Sequence, residues 1–279
     1  METGPTAATR LFLLLGDPVE HSLPPVFQNA AIRARGIDAI YAALRCDHQS
    51  IGPLVRALCR AGGGGNVTIP HKAAAAECII RPTEAVRRTG VCNTFWGEDG
   101  EVCGDNTDVA GFTHAALRLL PGLSGITALI LGAGGAAAAA AWALIDAGAR
   151  EIVLMNRSPD RALALARRFD GHPTDVRVCM SVRDIAGAKI DLVVNATAAG
   201  MRDDDVLPLD LGTLGRVRAA LDLVYRRGGA TPFVRHARRF GITAADGTEM
   251  LIAQGATAFS RWFGGEPPID IMRTALEDM

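Results

Sequence analysis

The chain has 279 residues, more than one hydrophobic core usually supports, so we expect two domains. Hydrophobic residues make up 49% of it and charged residues 21%, a composition typical of globular proteins. Its net charge of -1 offers no basic surface to a phosphate backbone, which excludes nucleic acid as an expected partner.

Apolar, β-rich runs alternate with helical stretches along the whole chain. Strands are predicted at 10–15, 39–45, 66–69, 126–131, 151–155, 190–194 and 221–224, and helices at 24–35, 51–60, 71–79, 108–119, 136–147, 159–169, 231–240, 250–263 and 268–278. Strands that are apolar on both faces predict parallel sheets covered by helices, so we assign both halves to the α/β class. A second domain could begin at the turn-like segment LLPGLSG, residues 119–125.

Disulfide, metal and membrane chemistry are not indicated. The six cysteines form no CxxC pair and lack the spacing of a zinc site, which favours reduced thiols and a cytoplasmic protein. The six histidines are also dispersed, so no metal is expected. The uncharged stretch 119–145 exceeds the roughly 20 residues that span a bilayer. Its Pro121, glycines and alanines instead predict a buried strand, turn and helix, and no membrane partner.

Residues 126–158, ITALILGAGGAAAAAAWALIDAGAREIVLMNRS, have the order strand, glycine turn, helix and strand of a mononucleotide-binding unit. Gly132, Gly134 and Ala137 fill the pattern G-x-G-x-x-G/A. These positions serve a tight turn, a close approach of the backbone to pyrophosphate, and the packing of helix on strand. Free N–H groups at the start of the helix would hold the phosphates. The alternative is an ordinary tight turn.

The end of the second strand indicates which dinucleotide is bound. An NAD site usually has an acidic residue there for the ribose 2′-hydroxyl. This chain has Asn156-Arg157-Ser158 followed by Arg161, and a guanidinium suits a 2′-phosphate. We therefore expect NADP, although Arg157 could also be a solvated loop charge.

Candidate catalytic groups cluster in the first 110 residues. GGGGNVTIPHK ends in Lys72, GVCNTF contains Asn93, and GDNTDVAGF contains Asp108. A cation at a helix N-terminus is disfavoured by the helix dipole, so helix stability gives no reason for Lys72. Each residue alone could be structural. Asp108, for example, is well placed to cap a helix at 109–119.

Seven motifs in order resemble the shikimate dehydrogenase family along essentially the whole chain. They are GDPVEHSLPPVFQNA, GNVTIPHK, NT at 93–94 with NTD at 106–108, GAGGAA with NRSPDR, NATAAGM at 195–201, DLVY at 222–225, and DGTEMLIAQGATAF at 246–259. The resemblance implies Lys72 and Asp108 as the proton-transfer pair. It implies substrate contacts by Ser22, Thr68, Asn93, Tyr225 and Gln254. The cofactor residues that it implies are Gly132, Ala133, Gly134, Gly135, Ala136, Asn156, Arg157, Ser158, Arg161, Thr197, Gly247 and Met250.

The resemblance also implies the domain layout. A substrate domain at 1–107 would be completed by C-terminal helices at 248–279, and a Rossmann-type NADP domain with a parallel sheet would occupy 108–247. We expect a monomer or a homodimer.

One residue departs from the family pattern. The substrate loop usually reads S-x-S-P, with both serine hydroxyls donating to the substrate carboxylate, and here it reads Ser22-Leu23-Pro24-Pro25. Pro24 has neither a hydroxyl nor an N–H. Loss of a hydrogen bond to a charged group costs about 1.5 to 3 kcal/mol, roughly tenfold to more than a hundredfold in affinity.

These features predict an NADP-dependent dehydrogenase acting on shikimate or a similar cyclic polyol carboxylate, with hydride transferred at the 3-position. Because of Pro24, the alternative within this class is a paralogue acting on quinate or aminoshikimate. A second alternative is a nucleotide-binding regulator without catalysis, which the presence of Lys72, Asp108, Asn93 and Gln254 disfavours.

Overall fold

The computed structural model describes residues 4–226 and 229–278. The strands are β1 (Arg10–Gly16), β2 (Ala39–Arg45), β3 (Gly64–Val67), β4 (Arg81–Pro82), β5 (Thr94–Glu98), β6 (Glu101–Asp105), β7 (Thr127–Leu131), β8 (Glu151–Met155), β9 (Asp175–Cys179), β10 (Lys189–Asn195), β11 (Arg216–Asp222) and β12 (Thr243–Ala245). The helices are α1 (Pro24–Ala34), α2 (Ile51–Arg60), α3 (Lys72–Glu77), α4 (Glu84–Thr89), α5 (Asp108–Leu117), α6 (Gly135–Asp146), α7 (Pro159–Arg167), α8 (Pro232–Arg239), α9 (Thr248–Phe263) and α10 (Ile269–Glu277).

The chain divides into two compact units. The split unit comprises the described residues of Met1–Thr107 and Ile252–Met279, and the central unit is Asp108–Leu251. Each unit is built on one six-stranded sheet with helices packed on it, which confirms the predicted α/β class. The central unit begins at Asp108, well before the LLPGLSG segment at which a second domain was predicted to start. The reason is that Phe112 on α5 packs into the hydrophobic core of the central unit.

The sheet of the split unit has the order β2-β1-β3-β5-β6-β4 and is mixed. Strands β2, β1 and β3 are parallel, whereas β5 is antiparallel to both β3 and β6. The prediction of parallel sheets in both halves is therefore wrong for this unit. The cause is a hairpin at Asp99-Gly100, where both residues have positive φ (52° and 80°) and Glu98 pairs with Glu101. Asp-Gly is the residue pair that such two-residue hairpin turns favour.

The C-terminal segment completes the split unit through contacts with α1 and the sheet. Trp262 packs on Phe12, with 5.1 Å between ring centroids, and its Nε1 donates to the carbonyl of Phe95 at 3.2 Å. The amide of the buried Gln28 on α1 donates to the carbonyl of Gly255 at 2.9 Å. These contacts join segments more than 150 residues apart in the chain.

The sheet of the central unit has the order β12-β11-β10-β7-β8-β9, and all its strands are parallel. The order confirms the predicted Rossmann-type arrangement. The alanines of α6 are buried in the core, where their small side chains let the helix lie close to β7. Residues 119–145 thus contain the predicted buried strand, turn and helix. The described part of the chain contains no helix long and apolar enough to cross a membrane.

Several predicted boundaries are wrong. The strand predicted at 221–224 is β11, which begins at Arg216, and the strand predicted at 66–69 begins at Gly64 and ends at Val67. The sequence pattern also missed β4, β5, β6, β9, β12 and α4. Strands β9 and β12 lie at the two edges of their sheet, and β9 interrupts its apolar residues with charges (DVRVC), so neither has the continuous apolar run of a central strand.

Candidate active-site regions

A network of buried polar side chains lies at one end of the mixed sheet. Asn93 precedes β5, Thr107 follows β6, and Gln254 lies on α9. The Asn93 Oδ1 atom accepts from the Thr107 N–H at 2.8 Å and from its hydroxyl at 3.1 Å. The Asn93 amide donates to Gln254 Oε1 at 3.5 Å. All three residues are at most 8% exposed, so their hydrogen bonds orient the two amides without competition from water.

A second layer of hydrogen bonds supports this network. The Asn66 amide on β3 donates to the Asn93 carbonyl at 3.1 Å and to Thr94 Oγ1 at 2.9 Å. Its Oδ1 accepts from the Tyr41 hydroxyl at 2.7 Å. Burial raises the pKa of Tyr41 well above its ordinary value, so this phenol stays a donor. Sequence reasoning missed Asn66 and Tyr41, although Asn66 stands within the GNVTIPHK motif.

Thr68 and Lys72 follow Asn66 in the sequence and are partly buried. Lys72 is the first residue of α3, and its carbonyl accepts from the Cys92 N–H at 2.9 Å. That bond ties the lysine backbone to the residue preceding Asn93. The N–H of Thr68 donates to the Leu15 carbonyl at 2.8 Å and holds the motif against β1.

The substrate loop predicted around Ser22 runs into α1. Ser22 is partly exposed, and its N–H donates to the Val19 carbonyl at 3.0 Å. Pro24 and Pro25 are the first two residues of α1 and have no N–H, while the next N–H, of Val26, donates to the Leu23 carbonyl. The first turn of α1 therefore does not replace the donor that is absent at position 24.

The glycine turn of the central unit is closely packed at Gly132 and open at Gly134. Gly132 has φ +116°, and a Cβ there would lie 2.9 Å from the Ala196 carbonyl oxygen. Gly134 is exposed, and a Cβ there would meet nothing within 4 Å, so its backbone is open to a ligand. It also forms the N-cap of α6 and, as a glycine, offers no side-chain cap to the N–H groups there. Ala133, Gly135 and Ala136 complete the turn and are partly buried.

The residues predicted to bind a 2′-phosphate follow β8. Arg157, Ser158 and Arg161 are exposed, and the Asn156 amide donates to the Ser158 carbonyl at 2.8 Å, which shapes the loop. Among the described residues, neither arginine forms an ion pair with a carboxylate. Both guanidinium groups are thus available to an anion beside the uncapped α6 terminus.

Thr197 lies where the strand order of the parallel sheet reverses, between β7 and β10. Ligands bind at such points in open α/β sheets. The Asn195 side chain holds Thr197, accepting from its hydroxyl at 2.7 Å and from its N–H at 3.1 Å. Asn195 in turn donates to Asp222 at 2.8 Å. Asn195 and Asp222 stand in the motifs NATAAGM and DLVY, but neither was predicted to be a site residue.

Asp108 and Tyr225 both belong to the central unit, and the charge of Asp108 acts on the Tyr225 phenol. The pKa of Tyr225 is raised by burial and, to a smaller extent, by the negative charge of Asp108. Asp108 is 6% exposed and is the first residue of α5. The helix predicted at 108–119 thus begins at the expected residue and ends at Leu117.

Gly247 and Met250 lie at the start of α9. The Gly247 N–H donates to the Val224 carbonyl at 3.0 Å, and a Cβ at this position would collide with the Leu223 carbonyl oxygen. Met250 is 7% exposed and packs in the core of the central unit. Gly247 thus brings this segment close to the residues that follow β11.

Sequence profiles match three parts of the chain in order. The profile described as "Shikimate dehydrogenase substrate binding domain" matches residues 14–95, "Shikimate / quinate 5-dehydrogenase" matches 114–202, and "Shikimate 5'-dehydrogenase C-terminal domain" matches 247–277. The chain is 42% identical to the shikimate dehydrogenase (NADP(+)) of Rubrobacter xylanophilus over 96% of its own length and 95% of that protein.

Two solved structures are similar over nearly the whole chain. The shikimate dehydrogenase of Aquifex aeolicus superposes with a TM-score of 0.88 at 31% identity, covering 98% of this chain and 99% of the other. The shikimate 5-dehydrogenase of Thermus thermophilus, solved in complex with NADP(H) and shikimate, superposes with a TM-score of 0.84 at 36% identity, covering 97% and 99%.

Proposed function

This chain belongs to the shikimate dehydrogenase family, and on that premise we propose that it is an NADP-dependent oxidoreductase that interconverts shikimate and 3-dehydroshikimate. The observation that carries the proposal is the buried network of Asn93, Thr107 and Gln254 in the split unit. Side-chain amides suit a polyol in general, because an amide N–H donates to ring hydroxyls and an amide oxygen accepts from them.

In the split unit, we assign Asn93 and Gln254 to the ring hydroxyls, with Thr68 as a further contact and Ser22 to the substrate carboxylate. When bound, NADPH supplies hydride to the 3-keto carbon. Lys72 would give a proton to the carbonyl oxygen, and Asp108 of the central unit is the second residue that we assign to proton transfer. A lysine is a suitable acid here because its ammonium group also stabilises the negative charge that develops on that oxygen.

In the central unit, we assign the glycine turn and the start of α6 to the pyrophosphate of NADP. Gly132, Gly134 and the neighbouring residues Ala133, Gly135 and Ala136 leave the backbone accessible, and the absence of a side-chain cap on α6 supports this role. Arg157 and Arg161, with Asn156 and Ser158 shaping the loop, would bind the 2′-phosphate. Thr197, Gly247 and Met250 would lie on the nicotinamide side, and Tyr225 would contact substrate.

Pro24 favours a second candidate, a paralogue that prefers quinate or aminoshikimate. The first turn of α1 provides no donor in place of the missing serine hydroxyl, so recognition of the carboxylate depends more heavily on Ser22. Location in the cytoplasm, a monomeric or homodimeric state and the division into a substrate domain and an NADP domain stay predictions.

The test is a comparison of kcat/KM for shikimate, quinate and aminoshikimate, each with NADP+ and with NAD+. We expect the highest value for shikimate with NADP+. Higher turnover of quinate or aminoshikimate would support the paralogue. If none of the three is oxidised while NADP+ still binds, the enzyme assignment is wrong and a nucleotide-binding regulator is favoured.

A further inference from the structure

Asp222 at the end of β11 is a fully buried carboxylate with hydrogen bonds to three different segments of the central unit. It has no exposed surface, and neither do Asn195 at the end of β10 or Thr231 before α8. Its Oδ1 accepts from the Asn195 amide at 2.8 Å and from the Val224 N–H at 3.1 Å. Its Oδ2 accepts from the Thr231 hydroxyl at 2.6 Å.

Asn195 connects Asp222 to the loop that follows β10. Its amide uses both donors, one to Asp222 and one to the Ala199 carbonyl at 2.9 Å. Its Oδ1 accepts from both the N–H and the hydroxyl of Thr197. The Asn195 side chain is thus fully hydrogen-bonded, and one rotamer of it determines where the loop lies.

That loop in turn lies against the glycine turn. A Cβ on Gly132 would lie 2.9 Å from the Ala196 carbonyl oxygen and 3.3 Å from the Thr197 side chain. A displacement of residues 196–197 would therefore change the space beside the turn. Asp222 also accepts from the N–H of Val224, the residue before Tyr225. The same carboxylate therefore also fixes the backbone at the start of the segment that contains Tyr225.

A buried carboxylate without a cationic partner is expensive to keep, because burial disfavours its charged form. The three donors on Asp222 are all neutral. An apolar residue of similar size would pack into this core with less penalty, so core stability alone does not account for an acid here. A carboxylate does, however, accept from several donors at once, which suits the joining of separate loops.

We propose that Asp222, acting through Asn195, is a positioning residue that holds the Thr197 loop in the geometry that binds the nicotinamide dinucleotide. This inference rests on the proposed function, which supplies the ligand. Asp222 does not itself contact substrate or cofactor in this role. Its effect reaches the site through the two hydrogen bonds between Asn195 and Thr197.

The experiment measures NADP+ binding by calorimetry, with steady-state kinetics alongside, for Asn195→Ala, Asp222→Ala and Asp222→Asn. We expect the dissociation constant and the KM for NADP+ to rise about tenfold or more in the two alanine variants. Asp222→Asn keeps an Oδ1 acceptor for Asn195 and Val224, so it should restore most of the affinity. Asp191→Asn is the matched control. Asp191 also lies on β10 and accepts from Thr127 and Arg218, but at the other end of the strand.

A merely structural role gives a different result. Partial unfolding lowers the active fraction and therefore the apparent kcat, but the remaining folded molecules keep the wild-type KM for NADP+. Should Asp222→Ala not fold, Asn195→Ala alone decides, since it leaves the Val224 and Thr231 bonds to Asp222 in place. Wild-type affinity for NADP+ in folded Asn195→Ala would overturn the inference. If the wild-type protein itself binds no NADP+, the proposed cofactor is wrong and the inference fails with it.

Discussion

The Asn93 side chain accepts two hydrogen bonds from Thr107, one from the N–H at 2.8 Å and one from the hydroxyl at 3.1 Å. The same hydroxyl is 3.4 Å from Gln254 Oε1. Thr107 therefore connects the two amides that we assign to the substrate, and it does so from a fully buried position.

Thr107→Val should destabilise the protein and weaken substrate binding. The change keeps the shape of the side chain but removes the hydroxyl from which Asn93 Oδ1 accepts, and the loss of one such hydrogen bond costs about 0.5–1.5 kcal/mol. Urea denaturation measures the free energy of unfolding, and the KM for shikimate measures the effect on substrate binding. Thr257→Val is the control, because its hydroxyl donates within its own helix, to the Ala253 carbonyl at 2.9 Å. Equal effects of the two substitutions would contradict the role of Thr107.

Lys72→Met should reduce kcat by about a hundredfold to ten-thousandfold, the usual contribution of a general acid or base. Methionine keeps most of the length of the side chain and removes its proton and charge. The NADP+ dissociation constant should stay within about twofold of wild type, because lysine is assigned to the chemical step alone. Rapid-quench or stopped-flow measurement of single-turnover hydride transfer checks the assignment. A variant that transfers hydride at the wild-type rate would remove Lys72 from the mechanism.

Arg157→Ala and Arg161→Ala should each weaken NADP+ far more than NAD+. Loss of a hydrogen bond to the charged 2′-phosphate costs about 1.5–3 kcal/mol, or roughly tenfold to more than a hundredfold in KM. NAD+ has no 2′-phosphate, so its KM should change little. Arg167→Ala, an exposed arginine at the far end of α7, is the matched control. Parallel losses for both dinucleotides would indicate a general effect of charge.

Pro24→Ser should lower the KM for shikimate, since it restores a hydroxyl where the family usually has one. The gain expected from one hydrogen bond to a carboxylate is about tenfold to a hundredfold. Pro24→Ala removes the ring and restores the backbone N–H but adds no hydroxyl, so it separates the effect of the hydroxyl from that of the backbone change. If serine and alanine act alike, the loop of this protein does not contact the carboxylate through position 24.

The buried Asp222 should make stability fall as pH rises from about 4 to about 6. Burial, and to a smaller extent the charge of Asp246, raises the pKa of Asp222 from 3.8 to about 6. In this window the folded protein binds more protons than the unfolded chain, so raising the pH favours unfolding, by at most about 3 kcal/mol.

Comparison with Asp222→Asn isolates this contribution. Other carboxylates, such as Asp191 and Asp203, have lowered pKa values and act in the opposite sense, but they are common to both proteins. Urea denaturation between pH 4 and pH 7 should therefore show the wild type losing stability relative to Asp222→Asn as pH rises. A difference that stays constant across this range would mean that Asp222 titrates normally.

The nucleotide-binding half was the part most open to prediction. Gly132, Gly134 and Ala137 act through local geometry, in which neighbouring residues determine a turn and the start of a helix, and such patterns can be read along the chain. The mixed sheet of the other unit was missed, although Asp99-Gly100 carries the local signal of a hairpin. Strands β9 and β12 were missed because edge strands need no continuous apolar run.

The sequence by itself determined the α/β class, the glycine turn and the family, since each depends on residues close together or on motifs in a set order. Only the tertiary structure decided which polar residues act together. Asn93 and Gln254 are 161 residues apart, and Asn195 and Asp222 are 27 apart on separate strands. Their hydrogen bonds form only when strands and helices from distant parts of the chain pack together and exclude water, which no local pattern encodes.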